Sequence, residues 1–166
     1  MRLALCILYI PVIGLMSQFI GVRLPRSWFH PEKFPYAAWK WEKQGKVYNK
    51  TYVYKWKDSL PDMSKISRRM VRKSITPAQF TPEHVERLVV ETCVAELVHR
   101  ILMLLSPVIY WINSTGLGAV VAIAYALSHV PFIIIQRYNR PTLVTLSKRL
   151  KEREERIKHA HPDPVR

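Results

Sequence analysis

Residues 91–141, ETCVAELVHRILMLLSPVIYWINSTGLGAVVAIAYALSHVPFIIIQRYNRP, decide the fold. Glu91, Glu96, His99 and Arg100 open the stretch, two apolar runs flank the turn Ser114-Thr115-Gly116, and Gln136-Arg137-Tyr138-Asn139-Arg140-Pro141 closes it. An apolar hairpin with charged groups at both mouths reads as two membrane helices that return to the face they left. An ionisable side chain at the end of a span is expensive to desolvate, so its presence there marks a functional site by default.

Working outward, residues 3–22 and 116–135 are each 20 residues long and carry no charge, enough to cross a hydrocarbon core of roughly 30 Å. The run 101–113 is shorter and becomes a span once its first turn takes in residues 95–100, with Glu96, His99 and Arg100 at headgroup level. Apolar residues make up 49% of the 166-residue chain, an average that hides this segregation. The chain therefore predicts an all-α integral membrane protein with about three transmembrane helices, built as a single membrane domain over 1–166. Its parts are a first span at 3–22, a cytoplasmic interfacial segment at 23–81, a long helix at 82–113 entering the membrane as the second span, a third span at 116–135, and a cytoplasmic tail at 136–166.

Orientation follows from the basic residues. Of 26 Lys and Arg, Arg2 alone precedes the first span, fifteen lie from Arg23 to Arg87, Arg100 marks the second span, none occupies the 114–116 turn, and nine follow from Arg137 onward. Positive residues stay inside, which predicts a multi-pass plasma-membrane protein with the N-terminus outside and the C-terminus cytoplasmic. A cleavable signal peptide fits the opening Arg2 and apolar run, but no small-x-small cleavage site follows and cleavage would export the basic segment, so an anchor is expected. Cys6 and Cys93 fall near opposite faces on this topology, which argues against a disulfide. The net charge of +14 flanks spans instead of lining a soluble reading domain, so nucleic acid is excluded as a partner and the lipid bilayer is expected.

The interfacial segment is rich in Trp, Tyr and Lys, the mixture that sits among headgroups. Within 46–60, Tyr48, Tyr52 and Trp56 keep helical spacing while Tyr52, Tyr54 and Trp56 alternate like a strand; a helix on the membrane surface is the expected form. Thr81-Pro82-Glu83 is a helix start, with a capping hydroxyl, Pro at the first helical position and an acid near the positive dipole end. That helix is expected to run to about Trp111, bent at Pro107. Beyond Pro141, Leu143, Leu146, Leu150 and Ile157 mark one side of a charged, amphipathic C-terminal helix.

At about 100° per residue, Glu96 lies roughly 60° to one side of His99 and Glu91 roughly 80° to the other, so the three share one broad helix face. A carboxylate that orients an imidazole is the usual arrangement for a general base acting on a hydroxyl, which makes His99 and Glu96 the candidate catalytic pair. The alternative is structural pairing of Glu96 with Arg100 and of Glu91 with Arg87, four residues apart on a helix. Glu-x-x-His also occurs in di-metal bundles, but those need a second copy and further carboxylates; the other spans supply none, and no metal is expected. Folding the hairpin about 114–115 sets His129 opposite His99 and Arg137 opposite Cys93, near Glu91. His129 reads as a hydrogen-bonded membrane-helix residue, and Arg137, Asn139 and Arg140 as a polar group at the cytoplasmic mouth.

Several ordered motifs resemble one known family. Trp41-Glu42-Lys43-Gln44-Gly45-Lys46 with Tyr48-Asn49-Lys50, Lys55-Trp56-Lys57, Leu60-Pro61-Asp62, Glu91-Thr92, Ala95-Glu96-Leu97-Val98-His99 and Val130-Pro131 through Gln136-Arg137-Tyr138-Asn139-Arg140-Pro141 resemble the glycosyl-4,4'-diaponeurosporenoate acyltransferases of the staphyloxanthin carotenoid pathway. The resemblance runs from about Val22 to Arg156. It implies a bacterial membrane enzyme that esterifies a sugar hydroxyl of a glycosylated C30 carotenoid with a fatty acyl chain, without a cofactor, from acyl-CoA or acyl carrier protein as donor. Under that implication His99, polarised by Glu96, takes the sugar proton; Arg137 or Asn139 steadies the oxyanion; Arg137, Arg140, Lys55 or Lys57 meets an anionic donor; Glu91 completes the polar mouth; and Trp41 or Trp56 stacks on the sugar. Two other readings fit the same residues: a non-catalytic membrane scaffold with a structural polar network, and an acyltransferase acting on another glycolipid. A frame of three spans is small for such ligands, and a homo-oligomer is compatible with it.

Overall fold

The computed structural model describes residues 2–60 and 81–160. The Pro61-Asp62 end of the third motif, the 61–80 part of the interfacial segment and the last six residues of the tail lie outside them. Every regular element among the described residues is helical. Helix α1 covers Arg2–Arg23, a short α2 covers Val53–Trp56, α3 covers Pro82–Leu105, α4 covers Pro107–Ile112 and α5 covers Gly116–Ala160. Single 3-10 turns fill much of the segment between α1 and α2, so the surface helix expected across 46–60 is replaced by a 3-10 turn at Lys46–Thr51, the four residues of α2 and another turn at Lys57–Ser59. A left-handed Tyr52, φ 52°, breaks the helical run that the aromatic spacing suggested.

Helices α1 and α5 are long and apolar enough to cross a membrane. Their apolar side chains largely face outward: Ile7, Leu15 and Phe19 on α1 and Val120, Ile123 and Leu127 on α5 are all exposed. A soluble protein seldom leaves so continuous an apolar surface uncovered. Helix α3 starts as its sequence dictates, with the Thr81 hydroxyl accepting a bond from the His84 backbone N–H at 3.3 Å and Pro82 in the first turn. It ends at Leu105 because Pro107 has no N–H to continue the ladder, and α4 resumes beyond the break. In the next turn Thr115 receives the Gly118 N–H on its hydroxyl, 3.2 Å, and starts α5. Pro141 does not stop α5, which runs 45 residues through both Pro131 and Pro141, about 68 Å at 1.5 Å per residue.

The three long helices alternate in direction. At one end Cys6 donates to the Ile109 carbonyl at 3.6 Å and packs with Ala122; Tyr9 donates to the Leu105 carbonyl at 3.1 Å. At the other end Arg26 meets Glu91, and between them a methyl on Gly21 would lie 2.9 Å from a Val98 methyl. Helix α1 therefore runs antiparallel to α3, and its glycine lets the two backbones close up as small residues do at membrane helix contacts. Helices α3 and α5 form the expected antiparallel hairpin, with His99 beside His129. Both cysteines are buried and free.

The interfacial segment is locked to α5 by a reversal at Lys43, Gln44 and Gly45, with φ of 48°, 57° and 82°. A Cβ on Gly45 would lie 3.0 Å from the Tyr138 carbonyl oxygen and 3.3 Å from that of Arg137. The turn thus delivers Glu42 and Tyr48 onto α5 at the level of Arg137. Gly45→Ala should destabilise the protein by about 1–2 kcal/mol, the penalty of a left-handed L-residue, plus the close approach; a lowered midpoint in thermal unfolding of detergent-solubilised protein is expected.

Candidate functional site

Where the hairpin's inner ends meet the interfacial segment, two carboxylates and three guanidinium groups form one network. Glu96 on α3 is fully buried, Glu42 is 1% exposed and Arg137 7%. Arg137 donates Nε and Nη2 to Glu42 at 2.5 and 2.6 Å, and Nη1 to Glu96 at 2.9 Å. Its other two N–H groups go to the backbone carbonyls of Pro35 and Ala37, both at 3.1 Å. A guanidinium has five N–H donors, and all five of Arg137 are engaged by protein.

Arg140, one turn further along α5, donates Nε to the Thr92 hydroxyl at 2.8 Å, Nη1 to the Tyr36 carbonyl at 2.6 Å, and Nη2 to the Thr92 carbonyl at 3.0 Å and to Glu96 at 2.5 Å. One of its Nη1 hydrogens has no acceptor among the described residues. Arg100 supplies Glu96 with a third guanidinium. Glu42 is further held by the Tyr48 hydroxyl and by the Trp39 backbone N–H at 2.6 Å. Three cations against two anions leave the buried cluster with one surplus positive charge. Burial pushes the Glu42 carboxyl up, but the bonds from Arg137, Tyr48 and the Trp39 N–H outweigh it and hold the group below the usual carboxylate range. Burial and the Glu42 carboxylate raise the Tyr48 phenol well above its ordinary value, so Tyr48 is a lasting donor.

One to two turns deeper, α3 and α5 bring two imidazoles together. His99 Nδ1 and His129 Nδ1 are 3.3 Å apart. The His99 ring stacks on Phe132, centroids 4.6 Å apart, and Tyr125 meets His129 edge-on at 4.7 Å. His129 is 8% exposed, and its Nε2 is buried without a hydrogen-bond partner among the described residues.

Sequence reasoning placed His99 opposite His129 and offered the Glu96–Arg100 pair, both of which the structure shows, but it set Arg137 near Glu91 and missed Arg137 and Arg140 as partners of Glu96. Glu96 takes guanidinium groups from Arg100, Arg137 and Arg140, so its charge is already compensated and it is a poor polariser for His99. Arg137 reaches Glu96 and Glu42, not Glu91, because a long side chain leans toward its own helix's N-terminus, here deeper along the hairpin. With every donor engaged, Arg137 is not placed to steady an oxyanion. Glu91 pairs with Arg26 at 2.9 and 3.1 Å; Arg26 also donates to the carbonyls of Gly21 and Val22 at the end of α1 and of Leu24 just beyond it. Asn139 accepts from Lys57 at 3.4 Å, and that ammonium also lies 5.5 Å from the Tyr138 ring. Trp56 donates its indole N–H to the Thr51 carbonyl at 2.8 Å and packs with Tyr48, Val53 and Ile135, a structural setting. Trp41 is more than half exposed beside Trp39 and Tyr48. Glu42 was missed, although a signal existed: it is the one acid between Lys33 and Lys57.

A sequence profile of the glycosyl-4,4'-diaponeurosporenoate acyltransferase family matches residues 25–149. Curated proteins of that name from Staphylococcus aureus strains bovine RF122 / ET3-1 and MRSA252 are each 36% identical over 155 residues, 91% of this chain and 91% of theirs; that of strain N315 is 35% identical over 153 residues, again 91% of each. The chain belongs to the glycosyl-4,4'-diaponeurosporenoate acyltransferase family. No solved structure matches it.

The matched range of this acyltransferase takes in both carboxylates and all three arginines of the network as well as both histidines. It excludes α1, whose C-terminal end is tied to α3 by the Arg26–Glu91 pair just beyond it. Since the Glu42 carboxyl is depressed in the fold, its contribution to stability is complete above the unfolded carboxylate value near 4.3 and is lost as pH falls through the folded value. Thermal unfolding of the acyltransferase at stepwise lower pH should show a loss that is smaller in Glu42→Gln. At neutral pH, Glu96→Ala should cost about 3–5 kcal/mol by leaving buried guanidinium groups unpaired, measured as a lowered unfolding midpoint.

Proposed function

We propose that this acyltransferase esterifies a sugar hydroxyl of a glycosylated C30 carotenoid with a fatty acyl chain at the cytoplasmic face of the plasma membrane. The observation that carries the reading is 36% identity over 91% of the chain to proteins whose name specifies acyl transfer and a glycosyl-diaponeurosporenoate. Support for the membrane face comes from the position of the charged network, at the inner end of an outward-facing apolar hairpin, and from exposed Trp28, Phe34, Trp39 and Trp41 in the segment beside it. Rings of this kind sit at headgroup depth.

In this reading the chain is one membrane domain with three spans: α1, the later part of α3 with α4, and the first part of α5. The antiparallel stacking of Cys6 on Ile109 and of Arg26 on Glu91 gives the three helices a common depth, and the excess of Lys and Arg after Arg23 and after Arg137 sets the N-terminus outside and the C-terminus inside. The polyene and the acyl tail lie along the apolar helices, in lipid. The donor is an activated acyl thioester, carried by coenzyme A or acyl carrier protein. Its anionic carrier meets the surplus positive charge at the mouth, where Arg140 keeps one N–H uncommitted among the described residues and Lys57 stands beside Asn139.

The chemistry belongs to His99. His99 Nδ1 faces His129 Nδ1 at 3.3 Å. The sugar O–H gives its proton to the His99 imidazole while the sugar oxygen forms a bond to the acyl carbonyl carbon, whose π pair moves onto oxygen. Collapse of the tetrahedral species breaks the C–S bond, and the departing sulfur takes the proton back from His99. Glu42, Glu96 and Arg137 hold the frame in which this occurs. His99→Gln should lower acyl transfer to the glycosylated carotenoid in proteoliposomes by about 10²–10⁴-fold, the usual range for a positioned acid–base group, with the unfolding midpoint little changed. Wild-type turnover in that variant would remove His99 from the reaction.

A further inference from the structure

A groove opens in the hairpin where α3 gives way to α4. Pro107 and Tyr110 form one wall, and Ala119, Ala122, Ala126 and Leu127 of α5 form the other. Its volume is about 430 Å³, in the range of small-molecule sites. The alanines leave α5 without bulk along its wall, and the rim side chains of Tyr110 and Leu127 are exposed. Ser106 also lines the groove, but its hydroxyl is turned back onto the Met103 carbonyl at 2.8 Å. The slot therefore presents an almost wholly apolar surface. It has a polar end. Arg100 and Pro107 are seven residues apart, which sets them about 20° apart around the helix axis and about 10 Å apart along it; Ser106 keeps helical dihedrals between them. Arg100 thus stands in line with the groove at the end nearer the charged network. Its side chain is 28% exposed and meets Glu96 through Nη2. A guanidinium has five N–H donors, and no second acceptor meets Arg100 among the described residues.

We infer that this groove binds the fatty acyl chain of the donor, with the thioester at the Arg100 end and the terminal carbon toward Tyr110 and Ala119. The inference rests on the acyl transfer proposed above and gives one of its two hydrocarbon chains a place. An apolar slot with a hydrogen-bond donor at one end suits an amphiphile that carries a carbonyl oxygen at its head, as an acyl thioester does. Length separates the two chains. From Arg100 to Tyr110 is about 15 Å at 1.5 Å per residue, half of a hydrocarbon core of roughly 30 Å and so the reach of an acyl chain in one leaflet. A C30 polyene is stiff along its conjugation and outruns that distance.

Plugging the groove at two depths tests the assignment, with hexanoyl-, dodecanoyl- and hexadecanoyl-CoA compared as donors to the glycosylated carotenoid in proteoliposomes. Ala126→Phe, near the Arg100 end, should lower kcat/KM for the dodecanoyl and hexadecanoyl donors at least about tenfold, the discrimination a hydrophobic pocket makes per methylene, and spare the hexanoyl donor. Ala119→Phe, at the far end, should penalise the hexadecanoyl donor alone. An unchanged chain-length profile in folded variants, or an equal loss for every donor, would overturn the inference while leaving acyl transfer intact. A second measurement needs neither a variant nor turnover. Hexadecanoyl-CoA with a diazirine at its terminal carbon, irradiated with the wild-type protein in nanodiscs, should label Tyr110, Ala119 or Ile123, and excess unlabelled hexadecanoyl-CoA should remove that label. Label on α1, or label that no competitor displaces, would contradict the assignment even where the protein transfers no acyl group.

Discussion

The structure depends on Arg137 being shared between Glu42 and Glu96. These three side chains come from the interfacial segment, α5 and α3, and each is at most 7% exposed. Helices immersed in lipid gain little from apolar burial against one another, because the tails are as apolar as the side chains; close packing and polar bonds decide how they assemble. Here one guanidinium ties three chain segments with five hydrogen bonds, and Arg140 adds four more between α5, α3 and Tyr36. Removing any member strands the others as unpaired buried charges, so the network holds together or fails together.

This division of labour bears on the chemistry. The charged groups that draw the eye in the sequence hold the fold, and the proposed reaction falls to the imidazoles one to two turns deeper. A carboxylate bound by three guanidinium groups cannot also serve as an effective partner for a base, whereas an imidazole bound by another imidazole keeps its ability to take and return a proton. In the proposed reaction the surplus positive charge of the network is the feature that would attract an anionic acyl donor.

Much of the fold was legible in the sequence. The uncharged runs 3–22 and 116–135 became α1 and the first part of α5, the Thr81-Pro82 start of α3 was visible as a cap, and the turn at 114–116 fixed the hairpin well enough to set His99 against His129. Local signals failed where tertiary bonds decide. The third span and the helix beyond Pro141 were read as separate parts, but α5 continues through both. The aromatic spacing in 46–60 was consistent with a helix, but left-handed residues at 43–45 and 52 fold that segment into turns against α5. Spacing along one helix offered Glu96 both His99 and Arg100, and the Arg100 pair forms, but it could not reveal Arg137 and Arg140 arriving from another helix. Glu42 lay inside a quoted motif and was passed over because nothing local shows that an acid 95 positions from Arg137 will meet it.

The most direct test is a double-mutant cycle on stability between Glu42 and Arg137, using Glu42→Gln, Arg137→Gln and the pair, with equilibrium unfolding in detergent micelles. Groups in one buried network couple by about 0.5–3 kcal/mol, and the upper half of that range is predicted here, with the double variant less damaged than the sum of the two. Additive losses within about 0.5 kcal/mol would show that the two side chains do not share a buried bond, and would contradict the clamp on which this account stands.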